Sequence, residues 1–286
     1  MIRVVSTICF LAGLSILFYF AVDFYDYYSL PLIERPHSSL HQLAKPGGSV
    51  SHGLGVAGST MVLLLFLYSL RRREIIRWGS LSRWLNVHIM LGILGPLYVT
   101  LHSAFKFGGI VSVSYFSMVA VMLSGIFGRY LYLQIPRAIT GGELSDMEIN
   151  ARKEQLHSLL MNNFGLTDAV IKKLVAKMGE IGDKDRSAIY LLFTIFVNDM
   201  IRSLRFRSLR KTIRVNYSDH SQDEQDMLAR RIKESALLSR RVDFLDTTQR
   251  IFYYWHVIHR PFAFVMIFIM FIHIGVVIYF GYRWIF

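Results

Sequence analysis

Four of the ten histidines form two pairs with the same spacing, and each pair lies in a strongly apolar stretch. His88 precedes His102 by 14 residues, and His259 precedes His273 by the same 14. Along an α-helix, 14 residues rise about 21 Å and nearly complete four turns, so both histidines of a pair lie on one helix face. Two such helices side by side would form two stacked pairs of imidazoles. This arrangement predicts two metal centres of the kind found in bis-histidine haem proteins.

The composition predicts a membrane protein. Hydrophobic residues make up 53% of the 286, and the mean hydropathy is +0.39, which is more apolar than soluble domains usually are. The net charge of +12 comes from basic residues that cluster beside the apolar blocks, as in segments 71–73 and 202–214. This placement is typical of cytoplasmic segments in multispan proteins. It favours contact with anionic membrane lipid over nucleic acid, so no nucleic-acid partner is expected.

The single cysteine restricts which cofactors the chain could hold. Cys9 alone cannot form an internal disulfide or supply the ligands of an iron–sulfur cluster, and the CxxCH attachment sequence of covalent haem is absent. Any haem is therefore expected to be haem b, bound non-covalently by histidine or a similar side chain.

Five apolar stretches approach the ~20 residues that a membrane-spanning helix needs. They are Val4–Val22, Gly53–Leu70, Leu85–Phe105, Val111–Leu133 and Phe262–Trp284. The first resembles a signal peptide, but its end has no small-x-small cleavage sequence, which favours an uncleaved anchor. The predicted fold class is an all-α integral membrane protein with a haem-binding bundle of about five helices. Residues 1–135 would hold four of them, 136–254 a helical cytoplasmic insert, and 255–286 the fifth.

The basic residues also predict an orientation. Five arginines lie within residues 71–83, and the long insert is rich in lysine and arginine. The positive-inside rule places both segments in the cytoplasm. The N-terminus is then inside, Phe286 is outside, and a bacterial plasma (inner) membrane is the expected location.

With five spans, the third and fifth run parallel. His88 should then face His259 near the cytoplasm, and His102 should face His273 near the outer surface. The apolar run Ala188–Ile201 is short for a span, and we interpret it as an interfacial or buried helix. If it crossed the membrane instead, His88 would pair with His273 and His102 with His259.

The insert is predicted to be helical and to dock on the membrane face. Ser145 with Glu148 suits a capping box, and Thr167 can begin a second helix. Apolar residues at helical spacing follow from Asp219 to Arg250, in a helix that could continue directly into the last span.

Small residues accompany the paired histidines. Gly92 and Gly95 lie on the same face of the third predicted span as His88 and His102. Glycines there would let a flat porphyrin approach the backbone. They would equally well permit close packing of membrane helices.

Further side chains could contact a cofactor. His256 could replace His259 as a ligand, contact a propionate or bind a quinone. His52 could serve a quinone, a propionate or an extra haem, or have an interfacial packing role. Arg129 and Arg260 could pair with haem propionates or act as cytoplasmic anchors.

Two histidines lie in the loop after the first predicted span. His37 and His41 are expected to be solvated or to face a partner.

The chain resembles the di-haem b-type membrane cytochromes, especially the ferric-reductase-like transmembrane domain. In that family, two parallel helices each carry two histidines at a similar spacing. The match covers Leu85–Phe107 and Trp255–Tyr282 and leaves out the insert. The resemblance implies electron transfer across the membrane through two stacked b haems.

The ferric reductases and NADPH oxidases carry a flavin and nicotinamide domain after their spans, and we recognise none in this sequence. The electron partner is therefore expected to be a separate flavin, iron–sulfur or multihaem subunit, or a quinone. Two alternatives stay open. One is a terminal reductase that passes electrons to extracellular acceptors, and the other is a cofactor-free membrane scaffold or transporter subunit.

Overall fold

The computed structural model describes residues 2–135, 146–179 and 188–280. Helices take up 83% of the structure, and the described residues contain no strand. The all-helical prediction is therefore confirmed. The chain divides into two compact units. We call Met1–Arg129 with Trp255–Phe286 the bundle unit, and Tyr130–Tyr254 the insert unit.

Twelve α-helices occur in the described ranges, together with one 3-10 turn at Arg35–His37. The first seven are α1 (Ile2–Asp23), α2 (Tyr25–Ser29), α3 (His41–Ala44), α4 (Ser49–Leu64), α5 (Phe66–Arg72), α6 (Leu81–His102) and α7 (Gly109–Gln134). The others are α8 (Asp146–Phe164), α9 (Asp168–Ala176), α10 (Ala188–Asn216), α11 (Gln222–Asp243) and α12 (Leu245–Tyr279).

Five of the described segments are long and apolar enough to cross a membrane: Ser6–Asp23, His41–Arg72, Leu81–His102, Gly109–Gln134 and Thr247–Tyr279. Each overlaps one predicted span. Large apolar side chains project outward from them, including Phe18 and Phe268, both 69% exposed. Such faces suit hydrocarbon better than water. The run Ala188–Ile201 belongs to α10 and is not among the five.

The structure corrects two predictions near the end of the chain. The last apolar helix, α12, begins at Leu245, well before the predicted start at Phe262. It is also separate from α11, so the expected continuous helix is interrupted. The break is at Phe244, where ψ is 14° and the side chain is buried against Ile195. Of the predicted insert features, the α9 start after Thr167 is confirmed, and residue 145 lies outside the described ranges.

Close packing of α4 against α6 organises the bundle unit. A Cβ added to Gly58 would lie 3.0 Å from the carbonyl oxygen of Gly95, and one added to Gly95 would lie 3.1 Å from Val62. Small residues let two backbones approach in this way. The structure therefore supports the helix-packing alternative for Gly95.

Residues 53–58 (Gly-Leu-Gly-Val-Ala-Gly) have the GxGxxG spacing of a dinucleotide-binding loop. That motif requires a strand before it and a helix start within it. Here it lies inside α4, and no strand precedes it in the described residues. Gly58 serves helix packing instead, and Gly55 lies against the side chain of His102.

The loop between α1 and α4 folds over the end of α6. Arg35 is only 5% exposed and donates hydrogen bonds to the carbonyl oxygens of Ala104 (2.6 Å), Tyr28 (2.8 Å) and Leu30 (3.0 Å). Ala104 lies two residues beyond His102, where α6 ends. A buried cation thus stabilises the carbonyl end of the helix that carries both His88 and His102.

His41 differs from the expectation of a solvated side chain. Its Nδ1 lies 3.1 Å from the hydroxyl of Tyr27, and Tyr27 is fully buried. His37 is exposed, as expected.

The insert unit has its own apolar core, formed by α8 to α11. Its buried members are Leu160, Leu166, Ile171, Leu174, Met178, Leu209, Ile213, Leu228, Ala229 and Ile232. The start of α11 is fixed by a capping box in which Ser221 and Glu224 exchange hydrogen bonds.

Candidate functional site

The structure brings the four paired histidines into two groups at opposite ends of α6. The imidazole centres of His102 and His273 lie 6.4 Å apart, with 61° between the ring planes. At the other end, His88 lies close enough to His259 for an electrostatic interaction between the imidazoles. These are the pairs that parallel third and fifth spans would bring together.

One further histidine accompanies each pair. We call His52, His102 and His273 the His102 group, and His88, His256 and His259 the His88 group.

The His102 imidazole is held by the start of α4. Its Nδ1 lies 2.9 Å from the carbonyl oxygen of Ser51, and the Ser51 hydroxyl donates back to the carbonyl oxygen of His102 (3.0 Å). A carbonyl only accepts hydrogen bonds, so Nδ1 carries the proton and Nε2 keeps its lone pair. The ring lies against the backbone of Gly55, where an added Cβ would come within 2.6 Å of Nδ1. Glycine is therefore required at this position.

The His88 imidazole has an equivalent partner between α4 and α5. Its Nδ1 lies 3.2 Å from the carbonyl oxygen of Leu65. Leu65 interrupts the helix, and its own N–H donates to Val62 only three residues back (3.2 Å). Because the carbonyl must accept, Nδ1 of His88 donates and Nε2 again keeps its lone pair.

His259 shows the same pattern through a serine. Its Nδ1 lies 2.6 Å from Oγ of Ser124, and that hydroxyl donates to the carbonyl oxygen of Val121 (3.0 Å). With its proton used in this way, Ser124 accepts from Nδ1 of His259. Trp255 donates from Nε1 to the carbonyl oxygen of Ser124 (2.7 Å) and packs its ring 4.8 Å from that of His259. Three of the four paired histidines therefore have Nε2 available as a ligand atom.

Glycines of α7 allow this approach of α12. A Cβ added to Gly128 would overlap the indole of Trp255, and one added to Gly125 would touch His259 at 3.9 Å. These glycines belong to no recognisable sequence motif, although their spacing of three residues places them on one helix face.

The third histidine of each group lies beside the pair. The ring of His52 is 6.5 Å from that of His102. The Nε2 of His256 lies 3.4 Å from Nη1 of Arg72, and its ring centre is 4.5 Å from that of Trp255. His52 therefore adds a third imidazole to the pair His102 and His273, while His256 lies next to the cation of Arg72.

The other predicted site residues lie near the His88 group or face open space. Arg260 is exposed and within electrostatic range of His259, whereas Arg129 is half-buried on α7. A Cβ added to Gly92 would meet only Leu65, at 3.9 Å. Unlike Gly95, Gly92 thus has space beside it.

An apolar cluster occupies positions of the bundle helices that lie between the two histidine groups. Its buried members are Val62, Met118 and Met266, with Val99, Tyr115, Ile267 and Met270 packed against them. The hydroxyl of Ser114 donates within this cluster to the carbonyl oxygen of Met266 (2.8 Å), which joins α7 to α12. On α12, the side chains of Met266, Ile267 and Met270 therefore lie between His259 and His273.

Comparisons with known protein families, curated proteins and solved structures found no match to this chain. The function must therefore be argued from the chemistry of the two groups.

The two groups offer pairs of histidines rather than a larger set of metal-ligating side chains. In the described part of the chain, no group of three or more histidine, cysteine, aspartate or glutamate side chains is placed to hold a metal ion. Two imidazoles that bind one ion from opposite sides, through bonds of about 2 Å, would have ring centres roughly 6–6.5 Å apart. The 6.4 Å between His102 and His273 fits this value. An iron porphyrin needs only such an axial pair.

Proposed function

We propose that this chain is a membrane-spanning di-haem cytochrome b that moves electrons across the membrane between redox partners of a larger complex. The observation that carries the proposal is the shared pattern at His88, His102 and His259, whose Nδ1 atoms each donate to a backbone or serine oxygen. Metal-binding histidines almost always make such a bond, because it fixes the tautomer and the ring orientation.

The two pairs would hold the two haems. His88 with His259 would supply the axial ligands of one, and His102 with His273 those of the other. When bound, each haem supplies a one-electron carrier. If histidine supplied both protein ligands of each haem, the chain would favour electron transfer over catalysis at the metal. The apolar cluster around Met118 would keep water out of the space between the groups.

The partners follow from what the chain lacks in recognisable motifs. A flavin, iron–sulfur or multihaem subunit, or a quinone, would supply or accept the electrons. His256 and His52 are the candidate quinone contacts, one at each end of the bundle unit. The positive-inside rule would place the His88 group near the cytoplasm and the His102 group near the outer surface.

A cofactor-free scaffold or transporter subunit is the competing function. It is favoured by the same hydrogen bonds, because donation from His102 to Ser51 and from His88 to Leu65 also satisfies imidazoles buried between helices. The two functions differ in whether iron porphyrin is bound.

A visible spectrum separates them. We expect the purified full-length protein to show b-type α-band absorbance in the reduced-minus-oxidised difference spectrum, with about two haems per chain. A protein that expresses and folds in haem-replete cells yet shows no such band would contradict the haem proposal.

A second prediction concerns the orientation of His259. We expect Ser124→Ala to weaken haem binding at the His88 group by about 10- to 100-fold, because losing the hydrogen-bond partner that orients a metal-binding histidine has effects of this size. Titration of the haem-depleted protein with haem measures the change.

Ser114→Ala is the matched control for Ser124→Ala. It removes the same atom from the same helix and also breaks a hydrogen bond to α12, but away from the histidines. Equal haem affinities in the two variants would contradict a positioning role for Ser124.

A further inference from the structure

A charge cluster in the insert unit lies where α10 and α11 meet the last turns of α7. Its centre is Asp199, which accepts hydrogen bonds from Arg240 (2.5 Å), Gln134 (2.9 Å) and Tyr130 (3.2 Å). Partial burial raises the pKa of Asp199, but the Arg240 charge and these hydrogen bonds outweigh that effect and hold the pKa below its ordinary value. The carboxylate oxygens of Asp199 are therefore already occupied by hydrogen bonds from these neighbours.

Cations outnumber this carboxylate. Arg202 lies 3.8 Å from Asp199, and the side chain of Arg240 is only 9% exposed. The Nε atoms of Arg240 and Arg241 are buried without a hydrogen-bond partner among the described residues. Burial lowers the pKa of Arg241, and repulsion from Arg240 and Arg202 adds to that effect. Because buried donors without a partner are costly, Arg240 and Arg241 would gain from an anion beside Asp199.

The surroundings of the cluster indicate what kind of anion. Tyr130 and Gln134 belong to the last turns of the candidate span Gly109–Gln134, so the cluster lies where that helix would leave the hydrocarbon. Large apolar side chains project from one face of α10, namely Phe193, Met200 and Leu204, which are 65%, 67% and 60% exposed. An apolar helix face combined with basic residues is typical of a helix that lies in the membrane interface and contacts anionic lipid.

We propose that Arg202, Arg240 and Arg241 form a binding site for the phosphate headgroup of an anionic phospholipid, at the level where the candidate span Gly109–Gln134 ends. The planar guanidinium fork matches the oxygens of a phosphate and binds them by charge-assisted hydrogen bonds. The site consists of residues of the insert unit alone, so its test does not depend on the haem proposal. It would attach the insert unit to a membrane through one bound lipid.

The test uses the full-length protein, purified and delipidated, and titrated with phosphatidic acid or phosphatidylcholine under native mass spectrometry. We expect phosphatidic acid to bind in preference to phosphatidylcholine. Arg241→Gln should weaken phosphatidic acid binding about tenfold, because it removes charge-assisted hydrogen bonds. Arg230→Gln is the matched control, since Arg230 is an exposed arginine of the same helix and the variant loses the same charge.

Three results would overturn the proposal: unchanged phosphatidic acid binding in Arg241→Gln, an equal loss in Arg230→Gln, or displacement of the lipid by inorganic phosphate at equal concentration. The last would assign the site to a soluble anion. If Arg241→Gln does not fold, Arg202→Gln replaces it, because the Arg202 side chain is 40% exposed. A smaller loss of phosphatidic acid binding is expected there, and wild-type binding would count against the site.

Discussion

Replacing His102 by alanine is expected to lower the haem content of the purified protein from about two per chain to about one. In the proposed arrangement the His102 imidazole would hold one of the two haems, so its removal would take away a ligand of that haem. His88→Ala should remove the other haem, and the double variant should bind none. Haem per polypeptide, measured by the pyridine haemochrome method, gives the stoichiometry.

The geometry makes the choice of partner for His102 testable as well. His273 and His52 lie at nearly equal distances from it, 6.4 Å and 6.5 Å between ring centres. We expect His273→Ala to lose one haem and His52→Ala to keep both. The reverse result would assign the axial role to His52 on α4.

The control for these substitutions is His37→Ala. His37 is exposed in the loop after α1, so its variant should keep both haems. If His88→Ala and His102→Ala also keep both haems, the ligand assignment is wrong. If the wild-type protein and all of the variants bind no haem, the scaffold alternative is favoured.

Much of the fold could be predicted from sequence because its dominant signal is long apolar runs. A helix that crosses lipid must be apolar over most of its length, so its existence is visible in the sequence without knowing its neighbours. The ends of the helices are harder to predict. The start of α12 at Leu245 and the break at Phe244 depend on packing within the insert unit, around Ile195, which local sequence does not record.

The site was predictable only in part. The spacing of His88 and His102 is a local property of one helix, and it indicated the two groups. Their hydrogen-bond partners are not local. Leu65 contributes a backbone carbonyl, which any residue type has, and Ser124 lies 135 positions from His259. Only the packed structure brings these atoms together.

The glycines illustrate the same limit. Gly92 and Gly95 lie on one face by helical periodicity, yet only Gly95 contacts α4. Gly55 contributes directly to the His102 group, but in sequence it is one glycine of a GxGxxG run. Periodicity gives the face of a helix, and the identity of the neighbour on that face is a tertiary property.

The end of α6 depends on one buried arginine. Beyond His102, Ala104 and Phe105 have φ values of +48° and +57°, a region that costs residues other than glycine free energy. The chain holds this conformation where Arg35 donates to the Ala104 carbonyl oxygen. The position of His102 thus depends on a side chain that is 67 residues earlier in the sequence.

Arg35→Ala is therefore expected to destabilise the bundle unit by about 3–5 kcal/mol, because it leaves three carbonyl oxygens without their charged donor. A fall of about 10 °C in the Tm of the purified protein would correspond to this loss. Arg35→Lys keeps the charge but cannot reach all three oxygens, so its Tm should lie between those of the wild type and Arg35→Ala. Lys45→Ala, which removes a cation from the same loop, should leave the Tm within a few degrees of wild type. A Tm for Arg35→Ala equal to that of Lys45→Ala would show that the end of α6 is held by packing of its apolar neighbours rather than by the buried guanidinium.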